Sequence, residues 1–540
     1  MHLVGVLGLV VLLGIAWAMS YHRREVNIRP VLWGLGLQFV LALIILRSDV
    51  WSFIGMILLG LLVVLYLLEH QKAILGGGWQ WSAGLVPAAL AIGYLLYQLP
   101  PRAQSIGLGV LVLLLLVNSK FRFSAAAQRY LAALFVILGV TWFITRGIHG
   151  REIFQKFSTK VADFLNLSDY GARFLFGNLA DAQYYFPGPE AAWPGFGMQF
   201  ALKVLPTIIF FGGFMGVLYY LGIMQKVIEA LSRFMRWTIG TSGAESLSVS
   251  ANVFVGQTEA PLLIRPFLDS MTKSELLTVM VGGFATIAGG VLAGYIAMGI
   301  PAGHLVAATV MSAPAALVVG KIIYPEKEHS QTAGDVKLPE IEVGGNAIEA
   351  AANGISDGLK LAVNVGAMLI GFIALIAVLD VLLSFLDSLI DGRWRDGAYV
   401  AYSATGMSPV TGEYVGIFPG SLQTFFGTLL RPVAWVMGVP WRDAALVGNL
   451  LGVKLSLNEF VAYGTLGDYI REGVLSERAI IISTYALCGF ANFSSIGMQI
   501  GGIGAIAPHR KADLAKLGLK AMFGGALASF MTATIAGMLL

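Results

Sequence analysis

The sequence predicts an all-α polytopic membrane protein made of two inverted repeats, each with a re-entrant helical hairpin and a broken transmembrane helix. Three observations predict it. The 540 residues are 57% hydrophobic and only 12% charged, about half the charge of a soluble domain. Polar residues interrupt the apolar runs at places that fall into two matching pairs. The Lys and Arg residues of the loops send the two pairs into the membrane from opposite sides.

The composition excludes other classes. A net charge of +4 is too small for a nucleic-acid partner, and the lipid bilayer is the partner that the hydropathy demands. Cys488 is the only cysteine, so no intramolecular disulfide can form. The first apolar run ends in Ala16-Trp17-Ala18, which mimics a signal-peptidase site. However, Arg23, Arg24 and Arg29 follow it and no Lys or Arg precedes it, the reverse of a signal peptide. It reads as a membrane helix.

Residues 1–50 form two helices, about 3–20 and 31–47, joined by a basic loop that the positive-inside rule places in the cytoplasm. Residues 51–150 form a block of about four further spans, near 51–69, 82–99, 105–118 and 130–145. An even number leaves the downstream orientation unchanged. Residues 151–198 open with an amphipathic stretch to Gly177, too charged to span and expected to lie in the outer interface, followed by a looser aromatic, Pro-rich segment from Tyr184 to Phe196.

The first repeat, residues 199–345, starts with a span at about 199–223, and Lys226, Arg233 and Arg236 then mark the cytoplasm. From Ala251 to Leu268 an apolar stretch is broken by Gly256-Gln257-Thr258-Glu259 and Pro261. A carboxylate at the centre of a membrane helix costs roughly 2.5–3.5 kcal/mol, and each unsatisfied backbone group costs several more. Such a stretch reads as the tip of a re-entrant hairpin, buried in protein or lining a watery cavity. A span interrupted at residues 285–290 follows, then another at about 303–323, and then a charged loop from Lys321 to Glu342.

The second repeat, residues 346–540, begins with a span at about 360–385 and an outer loop at 391–396. A second hairpin, about 432–465, carries Leu457-Asn458-Glu459-Phe460, and the following span breaks at residues 490–495. A last span covers about 518–538. Hairpin with a Glu, then broken span, thus occurs twice: Glu259 with Thr286, and Glu459 with Asn492 and Ser495. Inverted, broken elements in corresponding positions point to a midplane binding site of a secondary transporter.

At these residues the chain resembles the concentrative nucleoside transporters. NVFVGQTEAPL, TIAGGVLAGY, VAWVMGVPW, SLNEFVAY and CGFANFSSIG match that family's pattern, in order, along helix two, the interfacial segment and everything from about Met198 onward. The block at 51–150 departs from it. The resemblance implies an elevator-type homotrimer in the plasma (inner) membrane, with a scaffold holding a mobile transport domain, and nucleoside carried with Na⁺ or, in some members, H⁺. No organic cofactor is implied. Carried over residue by residue, Gln257, Thr258 and Glu259 contact the nucleobase, with Val291 and Phe490 packed around it. Glu459, Asn492 and Ser495 hold the ribose. The resemblance places Na⁺ between Asn252, Thr286 and the carbonyls of Val255 and Ile287. The block is expected on the scaffold side.

The residue chemistry fits these roles. A nucleoside is uncharged, so recognition needs acceptors for ribose hydroxyls, an amide for the base edge and an apolar surface for the ring. Glu459 can accept from two hydroxyls, and Asn492 and Ser495, three apart, face one way on a helix. Gln257 offers donor and acceptor, and Phe490 offers a stacking face. Na⁺ takes hard oxygens, which Asn252, Thr286 and unwound backbone supply without added charge. Three other readings stand beside this one: a proton-coupled symporter, a passive nucleoside channel, and an intramembrane enzyme using Glu259 and Glu459. The last would rest on the glutamates alone, since the chain has no H-E-x-x-H or G-x-S-x-G and no His in the breaks.

Overall fold

A chain in lipid has to satisfy its own backbone hydrogen bonds, and this one does so almost wholly with helices. The computed structural model describes residues 2–74, 79–121, 124–181, 184, 199–332, 334, 344–401 and 409–540. It divides into two compact units, Met1–Leu35 with Ser158–Met538, and Gly36–Phe157 with Leu539–Leu540. Among the described residues, eight helices are long and apolar enough to cross a membrane.

After α1 (His2–Ala18) and α2 (Ile28–Leu46) come α3 (Val50–Ile74), α4 (Trp79–Tyr97), α5 (Pro101–Phe121) and α6 (Ala125–Thr145). These last four occupy the places of the four expected extra spans. They pack around Val64, Leu68, Ala89 and Ala133. Besides Ser52, the fully buried polar residue among the block's described residues is Gln104. Its Nε2 donates to the Leu96 and Leu99 carbonyls at the end of α4 and to Thr145 Oγ1 of α6, satisfying carbonyls that a helix end leaves orphaned. The block closes on its own start: the Gly150 N–H donates to Ser52 Oγ at 3.0 Å. A Cβ on Gly150 would lie 2.5 Å from the Ile44 carbonyl oxygen, so only glycine fits.

The expected single interfacial helix is two, α7 (Gly150–Leu165) and α8 (Ser168–Phe176), turning at Asn166-Leu167. The Pro-rich segment that follows lies outside the described residues except for Tyr184, as do residues 333 and 335–343 of the charged loop. The first repeat runs through α9 (Phe200–Tyr220), α10 (Ile223–Ile239), α11 (Gly243–Ala251), a 3₁₀ stretch (Ala260–Phe267), α12 (Lys273–Ala285), α13 (Gly289–Ala297) and α14 (Ala302–Ile323). The second comprises α15 (Ala347–Asp387), a short π turn, the pair β1 (Tyr399–Ala401) and β2 (Gly412–Tyr414), α16 (Leu422–Val436), α17 (Ala444–Ser456), α18 (Glu459–Glu472), α19 (Glu477–Leu487), α20 (Phe493–Ile506) and α21 (Lys511–Leu539). Each repeat therefore holds a hairpin (α11 with the 3₁₀ stretch; α17 with α18) and a broken helix (α12/α13; α19/α20).

Four details differ from expectation. The returning arm of the first hairpin is 3₁₀ rather than α, in a stretch carrying Pro261 and Pro266. The second hairpin starts at Ala444, not near 432: Gly438, at φ +98, and Pro440 end α16 as a separate helix. α10, expected only as a basic marker, is an amphipathic helix burying Met224, Ile228 and Met235 while Lys226 and Arg233 stay exposed. At the far end of α15, Asp380, Asp387 and Asp391 accept the N–H groups of Leu422, Tyr414 and Phe418, and so anchor the β pair.

α15 has 41 residues, roughly 60 Å of helix. The hydrocarbon layer is about 30 Å thick, so the expected span 360–385 is only its C-terminal part. It lies against α9 through glycines: a Cβ on Gly354 would sit 2.3 Å from the Gly212 carbonyl oxygen, and one on Gly212 would sit 2.5 Å from that of Gly354. Small residues permit such backbone approach in membranes. Gly354→Val should therefore separate α9 from α15 and lower stability by roughly 1–3 kcal/mol, read as a lower melting temperature of the purified protein in detergent. An unchanged melting temperature would show that the two helices are not in contact there.

Candidate functional site

The site is built where the two broken helices cross. The Phe490 N–H, in the second break, donates to the Thr286 carbonyl in the first at 3.3 Å. Between the breaks Gly489 adopts φ +129, and a Cβ there would lie 2.6 Å from the Phe284 carbonyl oxygen. Glycine is required on both counts.

On the first repeat, Asn252 caps the end of α11 and is almost fully buried, yet among the described residues neither its Oδ1 nor its Nδ2 has a hydrogen-bond partner. A Cβ on Gly282 would lie 3.6 Å from Asn252 Nδ2, and Thr286 Oγ1 donates to the Gly282 carbonyl at 2.8 Å. Asn252 and Thr286 therefore share one turn of α12, and Thr286 keeps its oxygen lone pairs. Val255 and Ile287, whose carbonyls complete the expected cation set, are buried beside them in sequence. The Gly289 N–H donates to the Phe254 carbonyl at 3.0 Å, tying the break to the hairpin tip. Among the described residues no group of three or more His, Cys, Asp or Glu could hold a metal; an ion here would be held by neutral oxygens. An orphaned buried amide oxygen beside a hydroxyl is the chemistry Na⁺ takes.

On the second repeat, Asn458 caps α18 by accepting the Val461 N–H, which leaves Glu459 as the first helical residue, where a negative charge is favoured. Glu459 is buried, 2% exposed. Its Oε1 accepts from the Tyr295 hydroxyl and its Oε2 from Asn492 Nδ2, both at 3.1 Å. Asn492 also caps α20, its Oδ1 accepting the Ser495 N–H at 2.8 Å. Both ends of Asn492 are thus engaged. The fully buried Ser495 hydroxyl has no partner among the described residues. A carboxylate has about four acceptor directions; two remain for a ligand.

α20 links these groups to the first hairpin. Asn492, Ser495, Gln499 and Gly502 recur at helical spacing along one face. Gln499 Nε2 donates to Gln257 Oε1 at 3.0 Å, and a Cβ on Gly502 would lie 2.9 Å from Thr258 Cγ2. Of the expected residues, Glu459 and Asn492 are directly bonded, Ser495 joins them through its backbone, and Thr286 meets Phe490. Gln257 and Thr258 meet α20. Glu259 is exposed and folds back, its Oε2 accepting the Gly256 N–H at 3.1 Å. Val291 is buried one turn before Tyr295 on α13.

Three residues of the site were missed in the sequence. Tyr295 lies four residues after Val291, on the same face. Gln499 is the lone amide in the apolar run from Ile496 to Ile506. Lys454 is the lone charge of α17; fully buried, it donates to the Ala486 carbonyl at the end of α19 at 2.8 Å.

Helical hairpins, broken helices and a polar crossing define a secondary transporter. The comparisons make this specific. Family models described as "Na+ dependent nucleoside transporter C-terminus", "Nucleoside recognition" and "Na+ dependent nucleoside transporter N-terminus" match residues 304–537, 201–302, and 7–67 with 106–179. The chain belongs to the Na⁺-dependent, or concentrative, nucleoside transporter family. It is 40% identical over 440 residues to an "Uncharacterized transporter" of Haemophilus influenzae, covering 80% of this chain and 96% of the relative. It is 42% identical over 392 residues to "Nucleoside permease NupC" of Helicobacter pylori, covering 72% and 86%. With "Sodium/nucleoside cotransporter 1" of Mus musculus it shares 39% identity over 450 residues, covering 80% and 63%. CNTnw, solved in an inward-facing substrate-bound state, superposes with a TM-score of 0.70 at 32% identity, covering 100% of this chain and 98% of that one. A CNTnw variant in an outward-facing state gives 0.69. The relatives are named as transporters, permeases and cotransporters, which sets the enzyme reading aside.

Asn492 does two jobs, cap and carboxylate donor. Asn492→Ala should remove both, costing roughly 1–3 kcal/mol, whereas Asn492→Ser keeps an oxygen for the cap and should lose less. Thermal melts without ligand check this; two variants melting alike would deny the cap its share.

Proposed function

We propose that the protein imports nucleosides by Na⁺ symport through alternating access. The observation that carries it is Asn252: a buried side chain, unpartnered at both ends among the described residues, set against Gly282, whose carbonyl accepts from Thr286, at the junction of the first hairpin with the first break. Na⁺ would take Asn252, Thr286 and the carbonyls of Val255 and Ile287. Gln257, Thr258 and Glu259 would meet the base, with Val291 and Phe490 against its ring. Glu459 and Ser495 would take the ribose hydroxyls, with Asn492 steadying the carboxylate. The proposed assembly is a homotrimer in the plasma (inner) membrane, checked by the mass of the purified protein. The block at 51–150 belongs to its scaffold. The outward- and inward-facing forms of CNTnw support the alternating-access reading.

Coupling would follow from an ion at this site. An ion between Asn252 and Thr286 would draw the hairpin tip onto the break to which Phe254 already bonds, and so order the Gln257-Thr258-Glu259 stretch. The linkage is reciprocal. Thr286→Ala should raise half-maximal Na⁺ severalfold, with nucleoside affinity largely restored at saturating Na⁺. Gln257→Ala should leave a deficit that no Na⁺ concentration repairs. Uptake into proteoliposomes decides the ion: concentrative uptake driven by a proton gradient without Na⁺ would overturn the assignment in favour of H⁺, and uptake that never exceeds equilibrium would mean a channel.

The ribose end has its own test. Glu459→Gln exchanges an acceptor for a donor. A hydrogen bond to a charged group is worth roughly 1.5–3 kcal/mol, so uridine affinity should fall about tenfold or more. 2′,3′-Dideoxyuridine, which lacks those hydroxyls, should lose far less. Equal losses would remove Glu459 from the ribose.

A further inference from the structure

Gln257 could present either end of its amide to a base, and the difference decides which bases suit it. The hydrogen-bond chain behind it settles the choice. Gln499 Nε2 donates to the backbone carbonyl of Met280 at 3.1 Å. A backbone carbonyl can only accept, so the Gln499 atom facing it is the nitrogen. That same nitrogen lies 3.0 Å from the Gln257 amide. Its second hydrogen requires an acceptor, so the Gln257 atom facing it is the oxygen.

Turning Gln499 over would set its carbonyl oxygen against the Met280 oxygen, although Gln499 Oε1 as it stands is buried without a partner among the described residues. The two side chains are also closely packed, although only the hydrogen bonds tell the amide oxygen from the nitrogen. A Cβ on Gly283 would sit 2.6 Å from Gln499 Nε2 and 3.0 Å from Gln257 Cβ, so both glutamines press on the bare glycine backbone. Among the described residues, Gln257 Nε2 has no hydrogen-bond partner.

We propose that Gln499 fixes Gln257 as a donor-only reader, so that the site prefers nucleosides whose base presents a carbonyl oxygen (uracil, hypoxanthine, guanine) over those presenting an amino group at the same position (cytosine, adenine). An amino group there would set two N–H donors face to face. The preference cuts across the purine–pyrimidine division, because it reads one atom of the base edge rather than ring size. It rests on the reading of Gln257 as a base contact. Gln499 is a positioning residue that acts through Gln257.

The test is equilibrium binding to the full-length protein at saturating Na⁺, with two pairs of ligands that differ at this position: uridine against cytidine, and inosine against adenosine. The unmutated protein should bind the carbonyl member of each pair about two- to tenfold more tightly. Gln499→Leu frees the Gln257 amide to turn and should bring each pair to within about twofold. Gln257→Glu, an acceptor-only side chain of the same length, should lower affinity for the carbonyl members and spare the amino members. Equal or inverted affinities in the unmutated protein would overturn the proposal without any variant. A carbonyl preference that survives Gln499→Leu or Gln257→Glu would overturn it as well. Gln257→Ala separates this failure from that of the underlying reading: if it changes affinity for none of the four ligands, Gln257 does not meet the base at all.

Discussion

A helix broken inside a membrane exposes carbonyl and N–H groups with no water to receive them, and the whole centre of this protein is arranged around that requirement. At the end of α19, Tyr463 donates to the Thr484 carbonyl, Lys454 to that of Ala486 and Ser529 to that of Cys488. At the end of α12, Gln499 donates to the Met280 carbonyl, Thr286 to that of Gly282 and the Phe490 N–H to that of Thr286. The beginnings of α18 and α20 are met by Asn458 and Asn492, and that of α13 by the Phe254 carbonyl. Several of these partners are also the residues of the candidate site. The polar groups needed to break the helices are the polar groups available to bind.

This double use ties the residues of the candidate site to one another. Asn492 cannot release Glu459 without disturbing the start of α20, and α20 carries Gln499, which holds Gln257 of the other repeat. From Asn492 to Gly502 the shared face spans roughly 15 Å of helix, with the carboxylate at one end and the first hairpin's tip at the other. A ligand touching both ends would meet groups already held by one rigid element, so little ordering would be lost on binding. The first hairpin also contacts the break through Phe254 and Gly289. Motion of its tip therefore reaches the Asn252 and Thr286 pair without a long relay.

Much of this was legible in the sequence because lipid makes polarity informative. Glu259 and Glu459 stand out in apolar runs, and the small polar breaks around Thr286 and Asn492 recur at matching places. The pairing of hairpin with broken helix followed from these alone. What was not legible depends on contacts between distant segments. Tyr295 read as an ordinary aromatic residue until it met Glu459, 164 positions away. Gln499 was visible as a lone amide but had no stated partner until the fold placed it against Gln257, 242 positions away. The start of the second hairpin was misplaced because α16 and α17 are both apolar, and a short link with the positive φ of Gly438 and with Pro440 separates them. The staple of Asp380, Asp387 and Asp391 was hidden because the groups they hold are backbone N–H groups, which leave no mark in a sequence.

The two repeats meet the same requirement with different charges, and the difference bears on the ion. Beside the end of α19 the first arm of the hairpin supplies Lys454, a cation tethered by its own side chain and aimed at a helix C-terminus, where positive charge is favoured. Beside the end of α12 the first arm supplies Asn252, neutral and unpartnered. A lysine at that position would fill the space with a permanent charge. An asparagine leaves oxygen donors for a cation that can come and go. A tethered charge can steady a structure but cannot report a gradient, whereas an exchangeable one can be lost to the side where it is scarce. In the proposed symport the first repeat is therefore the one that senses the gradient, while the second, with Lys454 and the Tyr295–Glu459–Asn492 set, holds the sugar whichever way the protein faces.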